Sequence, residues 1–168
     1  IKMVKVYDPD SMRLEAFCGE MSKIAGVAVE ALKDLRLIVK DSDVIITATT
    51  SKTPIFKGEW LEDGSHISGI GSHSPDAREL DEATIKRSRL VVDQREAALQ
   101  EAGDIIIPIK NGAITDKHIY AEIGEIVSGK KPGRITKEEI TLFKSCGLAI
   151  QDISTAKRVY ELASKQDI

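Results

Sequence analysis

The chain has 168 residues, of which 42% are hydrophobic and 30% are charged, a composition that is ordinary for one globular domain with a sizeable core. Its formal net charge is −3 and only 4% of its residues are aromatic, which argues against nucleic acid as a partner. No apolar run approaches the roughly 18 residues that a membrane span needs. We therefore expect a single domain over residues 1–168, with no membrane association.

The two cysteines, Cys18 and Cys146, are far apart in sequence and lie in apolar surroundings. This pattern is typical of reduced thiols in a cytoplasmic protein rather than of a disulfide. No CxxC, HxxxH or HExxH motif occurs, so no metal site is predicted. The first residue is Ile1 and no targeting peptide follows it, from which we expect that a segment upstream is missing.

Strand-like and helical patterns alternate along the chain. Strands are predicted over residues 2–7, 27–29, 43–48, 66–70, 90–92 and 140–143. Helices are predicted over residues 11–25, 32–40, 82–88, 94–102 and 148–163. The alternation predicts an α/β fold with a Rossmann-like, doubly wound and mostly parallel sheet, and the unbroken apolar run within 43–48 indicates a strand covered on both faces.

Local signals place several helix ends. Asp10 or Ser11 is expected to cap the first helix, Gly26 to end it, and Asp81 to cap the helix that follows it. Residues 93–96 fit a capping box that opens another helix, ended by Gly103. Residues 104–129 contain several turn residues, so we expect an irregular connection there with a short helix over 119–127.

Polar residues gather between Gly64 and Asp81, directly after a predicted strand. In parallel α/β sheets, ligands bind in the crevice beyond the carboxyl ends of the strands, so this stretch is the first candidate for a functional site. An ordinary strand-to-helix loop built from turn residues is an equally good interpretation of the residue types alone.

Asp8 closes the first predicted strand. In a nucleotide-binding βαβ unit, the acid at the end of the second strand accepts hydrogen bonds from the adenosine ribose, and its charge disfavours a 2′-phosphate. This role would favour NAD over NADP, whereas the alternative is a turn aspartate beside Pro9. If Asp8 has the first role, the first strand and its Gly-rich phosphate loop are expected before Ile1, because no such loop occurs in residues 1–168.

Five segments carry a resemblance to a known family: VYDPDSMRLEAF, DVIITATTSKTPIF, HISGIGSHSPDARELD, VVDQREAALQEAGDI and EITLFKSCGLAIQDISTAKRVYELA. Together they resemble the ornithine cyclodeaminase and mu-crystallin family, which also contains archaeal-type alanine dehydrogenases and ketimine reductases. The most specific pieces are PxxREL at residues 75–80 and TLFKSxGxAxxD at residues 141–152.

The resemblance implies a Rossmann domain that binds NAD, with a separate substrate-binding domain outside this chain and a homodimer when the protein is full length. It implies hydride transfer at the α-carbon of a small amino acid or imino acid. The expected reaction is that of an ornithine cyclodeaminase, which is a lyase. The alternative is the reaction of an alanine dehydrogenase or of a ketimine reductase. A crystallin-like protein that binds NAD(P) and a ligand without catalysis is the other expectation, and the fragment alone is expected to be inactive.

Matched residue by residue, the resemblance implies cofactor contacts at seven positions: Asp8, Thr49, Ile67, Ser68, Gly69, Ile70 and Ser145. The resemblance also implies that Cys146 faces the substrate. His73 stands where the cyclodeaminases carry an acid/base aspartate, and Ala77 where some members carry a cofactor-contacting lysine. A histidine can relay a proton near neutral pH, but a turn histidine that faces solvent is the alternative.

The remaining polar residues near these motifs are expected to have structural roles. His66 precedes a strand and His118 lies in a polar turn, which favours structural or surface positions for both. Asp76 and the Arg78-Glu79 pair are predicted to form a local ion pair and the start of a helix.

Overall fold

The computed structural model describes residues 1–165. It contains seven strands and seven α-helices, in the order β1 (Met3–Val6), α1 (Ser11–Ala25), β2 (Ala28–Ala31), α2 (Leu35–Val39), β3 (Val44–Thr47), β4 (His66–Gly69), α3 (Glu82–Arg87), β5 (Arg89–Val92), α4 (Arg95–Glu101), α5 (Gly103–Lys110), β6 (Ile119–Glu122), α6 (Ile123–Val127), β7 (Thr141–Lys144) and α7 (Ala149–Ser164). Within this range no helix is both long enough and apolar enough to cross a membrane.

The strands form two sheets, and every strand pair is parallel. One sheet has two strands, β1 and β2, and the other has five strands in the order β3-β4-β7-β5-β6. The α/β class with parallel strands is therefore confirmed. Within residues 1–165 the sheet is interrupted, because β1 and β3 do not pair with each other and each keeps an unpaired edge.

The predicted helix ends are set by local capping, either by a side chain that satisfies free backbone groups or by a glycine. The Asp10 carboxylate accepts hydrogen bonds from the N–H groups of Met12 and Arg13 at 3.0 and 3.1 Å. Gly26 ends α1 in the left-handed conformation, with φ of 66°, which glycine adopts without steric cost. Asp81 accepts a bond of 2.7 Å from the N–H of Thr84 and caps α3. These predictions are confirmed.

The core lies against one face of the five-stranded sheet. Side chains that point to this face alternate along each strand, and helices α3, α4 and α5 cover them with Ile85, Ala98 and Ile105. On β3 the opposite face is open, since Val44 is 59% and Ile46 68% exposed. The prediction that this strand is covered on both faces is thus wrong for the described residues.

Two element predictions are also wrong. Residues 93–96 do not form a capping box, because Gln94 is the N-cap of α4 without a side-chain hydrogen bond. The short helix predicted over residues 119–127 begins only at Ile123, and Ile119–Glu122 forms β6. Ile119 and Ala121 are buried in alternation, which is the period of a strand, and pairing with β5 decides the conformation.

The last helix is present where the sequence predicts it, over Ala149–Ser164. Its predicted apolar side is exposed: Ile150 is 63%, Ile153 62% and Tyr160 74% accessible. The helix therefore has an apolar face that no other part of residues 1–165 covers.

Candidate functional site

Four loops meet at the carboxyl edge of the five-stranded sheet, because β3, β4, β7 and β5 are neighbours and run parallel. Thr49 follows β3, Ile70 and Gly71 follow β4, Ser145 follows β7, and Asp93 follows β5. The structure thus brings together Thr49, the end of β4 and Ser145, which are far apart in sequence. We call this region the carboxyl edge.

Asp93 holds the loop after β7. Its Oδ2 accepts hydrogen bonds from Ser145 Oγ at 2.9 Å and from the N–H groups of Cys146 and Gly147, both at 2.8 Å. Three donors on one oxygen of a buried carboxylate fix the loop rigidly. Asp93 thus stabilises the loop after β7 at the carboxyl edge and does not cap α4.

Glu79 joins the loops after β3 and β4. The side chain is completely buried and accepts hydrogen bonds from Thr47 Oγ1 at 2.8 Å, from the Thr49 N–H at 2.6 Å and from the Gly71 N–H at 2.8 Å. Arg78 points elsewhere and lies 3.7 Å from Glu82. The prediction that Asp76 and Arg78-Glu79 form a local ion pair and the start of a helix is therefore wrong: Glu79 turns inward to accept from backbone donors, and α3 begins only at Glu82.

The end of β4 is reachable only in part. Ile67 is completely buried and belongs to the core, and Gly69 is buried as well, so Ser68 and Ile70 are the predicted positions on this strand that a ligand can reach. Ile70 is 43% exposed. Gly69 O accepts hydrogen bonds from Lys144 Nζ at 3.2 Å and from the Ser145 N–H at 3.1 Å. The end of this strand is thus tied to β7.

The three histidines have different surroundings. His73 is exposed, and its Nδ1 lies 3.1 Å from the Gly71 carbonyl oxygen. His66 Nδ1 bonds to Thr141 Oγ1 at 2.7 Å, and burial, followed by the nearby positive charge of Arg134, lowers the pKa of His66. His118 Nε2 bonds to the Ile85 carbonyl at 2.8 Å. His66 and His118 are thus held within the fold, whereas His73 stands at the carboxyl edge.

The two remaining predicted residues are Cys146, which lies beside the carboxyl edge, and Asp8, which lies in the two-stranded sheet. Cys146 is half-buried against the core, and burial raises the pKa of its thiol to about 11, so the thiol stays protonated at neutral pH. Asp8 follows β1 in the two-stranded sheet, and its Oδ1 accepts a bond of 2.8 Å from the Asp10 N–H. No donor within residues 1–165 bonds to the other oxygen of Asp8.

The comparisons with known proteins agree with the resemblance of the sequence motifs. The model of the ornithine cyclodeaminase/mu-crystallin family matches residues 1–167. The chain belongs to this family.

Relatives within the family are similar over the whole chain. A Delta(1)-pyrroline-2-carboxylate reductase of Bacillus cereus is 40% identical over 169 residues, which cover 100% of this chain and 52% of the reductase. The structure of the Thermococcus litoralis Delta(1)-pyrroline-2-carboxylate reductase in complex with NADH and L-proline is 46% identical, with a TM-score of 0.96 over 100% of this chain and 52% of that chain. An archaeal alanine dehydrogenase dimer with bound NAD is 37% identical, with a TM-score of 0.90 over 100% of this chain and 51% of that chain.

The chain thus spans about half the length of the family members it matches. Within residues 1–165, no group of three His, Cys, Asp or Glu side chains is placed to hold a metal ion. A cavity of about 520 Å³ lies at the opposite, amino-terminal edge of the sheet, between Arg87, Arg89 and Tyr120. Arg87 donates there to the Gly58 and Leu61 carbonyls and Arg89 pairs with Glu139, while the buried Arg89 Nη1 has no hydrogen-bond partner within residues 1–165. None of the predicted site residues lines this cavity, so the carboxyl edge remains the candidate site.

Proposed function

We propose that the chain is the dinucleotide-binding part of an NAD-dependent enzyme that transfers a hydride at the α-carbon of a small amino acid or imino acid. The observation that carries the proposal is the match to the Thermococcus litoralis reductase, which was solved with NADH and L-proline. All of this chain superposes on about half of that reductase, with a TM-score of 0.96. Among the reactions of the family, reduction of a cyclic imino acid is therefore favoured over cyclodeamination, and alanine dehydrogenation is the alternative.

Asp8 and the residues at the carboxyl edge together suit a dinucleotide. The free oxygen of Asp8 can accept a hydrogen bond from the adenosine ribose, which favours NAD over NADP. Thr49, Ser68 and Ser145 present small side chains, and the partly exposed Ile70 offers an apolar surface, so a planar ring can approach without steric conflict. When bound, the cofactor supplies or accepts the hydride, and the protein's role is to place it.

His73 has the geometry of a proton relay beside this edge. The Gly71 carbonyl oxygen can only accept a hydrogen bond, so the 3.1 Å contact places the ring proton on Nδ1. Nε2 is then free to take a proton from the substrate nitrogen or to return one. Cys146, with its thiol protonated, can contact the substrate but cannot act as a nucleophile at neutral pH.

Most of the substrate site, the dimer interface and part of the sheet are proposed to lie outside residues 1–168. The unpaired edges of β1 and β3 and the exposed Val44 and Ile46 fit a further parallel strand, with its helix, between the two sheets. The relatives are about twice as long as this chain, and the alanine dehydrogenase relative is a dimer. The two free thiols, Cys18 and Cys146, fit a reducing compartment such as the cytoplasm.

An activity assay tests the proposal. The protein encoded by the complete reading frame is incubated with NADH and Delta(1)-pyrroline-2-carboxylate, and in the reverse direction with NAD and proline, ornithine or alanine, while nicotinamide absorbance is followed. We expect the cyclic imine to be reduced fastest. Cofactor binding without turnover of any of these substrates would remove the claim of catalysis and favour a crystallin-like binding protein.

Replacing His73 separates an enzyme from such a binding protein. Because general acid/base groups contribute about 100-fold or more to the rate, His73→Ala is expected to lower kcat by about that factor. His73→Asp is expected to restore part of it, while the Kd for NAD stays unchanged in both variants. His118→Asn, which changes a histidine at the opposite edge, serves as the control. An unchanged rate in His73→Ala would assign the ring to the solvent-facing surface.

A further inference from the structure

Three charged side chains lie completely buried beneath the carboxyl edge: Glu79, Asp104 and Lys144. Removing a charge from water is costly, and well-packed apolar side chains are often as stable in the same place. The proposed function assigns no contact with substrate or cofactor to any of the three. Their hydrogen bonds show that they connect the loops that carry the site.

Glu79 bonds across the gap between two strand ends. One of its oxygens accepts from Thr47 Oγ1 and from the Gly71 N–H, and the other accepts from the Thr49 N–H. The donors on Thr47 and Thr49 belong to the end of β3, and the donor on Gly71 follows β4. A single carboxylate therefore sets the distance between these two loops.

The contact at Gly71 leaves no free space. A Cβ atom on this residue would overlap the Thr49 carbonyl oxygen and the Glu79 carboxylate. The loop after β3, the loop after β4 and Glu79 are thus in direct contact, and none of them can shift without moving the others.

The backbone of Glu79 is fixed from the other side. Asp104 Oδ1 accepts hydrogen bonds from the N–H groups of Glu79 and Leu80 at 2.8 and 2.9 Å. The other Asp104 oxygen lies 3.3 Å from Lys144 Nζ, which donates to the Gly69 carbonyl at 3.2 Å. The contacts therefore link Gly69 through Lys144, Asp104 and Glu79 to Gly71. The backbone of the exposed Ile70 closes this ring.

The same contacts decide which part of a dinucleotide suits this edge. Phosphate groups bind where backbone N–H groups or cations are free. Here the N–H groups of Thr49 and Gly71 already donate to Glu79, and those of Cys146 and Gly147 donate to Asp93. An anionic phosphate is disfavoured beside two buried carboxylates, so the nicotinamide half is the part that fits.

We propose that Glu79 is a positioning residue for the nicotinamide half of the cofactor. It acts through the peptide groups of Thr49 and Gly71 and does not touch the cofactor itself. The adenosine half, which is assigned to Asp8, lies outside its reach. This inference rests on the proposed function, since it requires that the carboxyl edge binds NAD.

Binding of two ligands to Glu79→Gln tests the role. The substitution keeps the shape of the side chain but turns an amide NH₂ toward at least one donor. Kd is measured by calorimetry for NAD and for ADP-ribose, which lacks the nicotinamide, with the protein encoded by the complete reading frame. We expect the Kd for NAD to rise about ten-fold, while that for ADP-ribose changes less than about two-fold. A purely structural role would change both alike.

Two further variants complete the test. Glu82→Gln, the same change three residues away on α3, is the matched control and is expected to leave both Kd values unchanged. Thr47→Val removes one donor to Glu79 and is expected to raise the Kd for NAD by about three-fold, so it decides the matter if Glu79→Gln does not fold. Equal effects on both ligands, or none, would overturn the positioning role alone. A wild-type protein that binds neither ligand would overturn the proposed function and this inference together.

Discussion

Asp8 and Asp93 each follow the end of a strand, but their carboxylates have different hydrogen-bond partners. Asp93 is 5% exposed, and one of its oxygens accepts hydrogen bonds from three donors of the loop after β7. Asp8 is half-buried and uses one oxygen for the turn at Asp10. The partners of a carboxylate, rather than its place after a strand, therefore separate a structural acid from one that is available for a ligand.

The available oxygen of Asp8 predicts a cofactor preference. Asp8→Asn keeps the turn, because its amide oxygen can still accept from the Asp10 N–H, but it removes the negative charge. The repulsion of a 2′-phosphate then disappears and one charge-assisted hydrogen bond is lost. We expect the ratio of kcat/KM for NADP to that for NAD to rise about ten-fold or more.

Steady-state kinetics with both cofactors measures this ratio. Glu15→Gln, which removes a charge from the exposed surface of α1, is the control and is expected to leave the ratio unchanged. An unaltered ratio in Asp8→Asn would assign Asp8 to the turn alone.

At the level of elements, sequence predicts what local contacts decide. The two ends of α1, at Asp10 and Gly26, and the start of α3 at Asp81 depend on atoms within a few residues, so their signals are complete in the sequence. Asp93 carries the same local signal, yet it bonds to a loop more than 50 residues away. No local pattern distinguishes the two outcomes, because the competing donors approach only after β5 and β7 have paired.

The candidate site shows the same division. The motifs at residues 75–80 and 141–152 are recognisable in the sequence, but the buried contacts of Glu79 and Lys144 within them depend on tertiary packing. The sequence signals for these buried contacts are a lysine at the end of an otherwise apolar strand and a glutamate directly before Leu80. Such residues are rarely buried unless they are paired.

The role of Asp93 leads to a prediction for the loop after β7. Asp93→Asn weakens three hydrogen bonds to one oxygen and is expected to lower the free energy of unfolding by about 1–2 kcal/mol. Because Ser145 moves with this loop, the Kd for NAD is also expected to rise. Glu96→Gln in the exposed first turn of α4 is the control, measured by urea unfolding and calorimetry. If Asp93 were only a helix cap, Asp93→Asn would leave both the free energy of unfolding and the Kd nearly unchanged, because Asn caps a helix about as well as Asp.

The whole molecule is divided by the gap in its sheet. Within residues 1–165, strands β1 and β2 are connected to the five-stranded sheet through α2, and Lys5 donates to the carbonyls of Leu37 and Lys40. Asp8 lies on one side of the gap, whereas Thr49 and Ser145 lie on the other. A ligand that contacts all three spans both sheets, so its affinity depends on how firmly the two sheets are held together.

This dependence predicts the behaviour of the 168 residues alone. Because one edge of β1 and one edge of β3 are unpaired within residues 1–165, the two halves of the proposed site are not fixed by a shared strand, and no Gly-rich loop is present in residues 1–168 to bind the phosphates. We expect the isolated chain to bind NAD at least about 100-fold more weakly than the protein encoded by the complete reading frame. Calorimetry measures both, and sub-micromolar binding by the isolated chain would contradict the proposal. Hydrogen exchange provides a second readout, since amides on the unpaired edges of β1 and β3 should exchange faster in the isolated chain, whereas those of β4 and β5 should be protected in both.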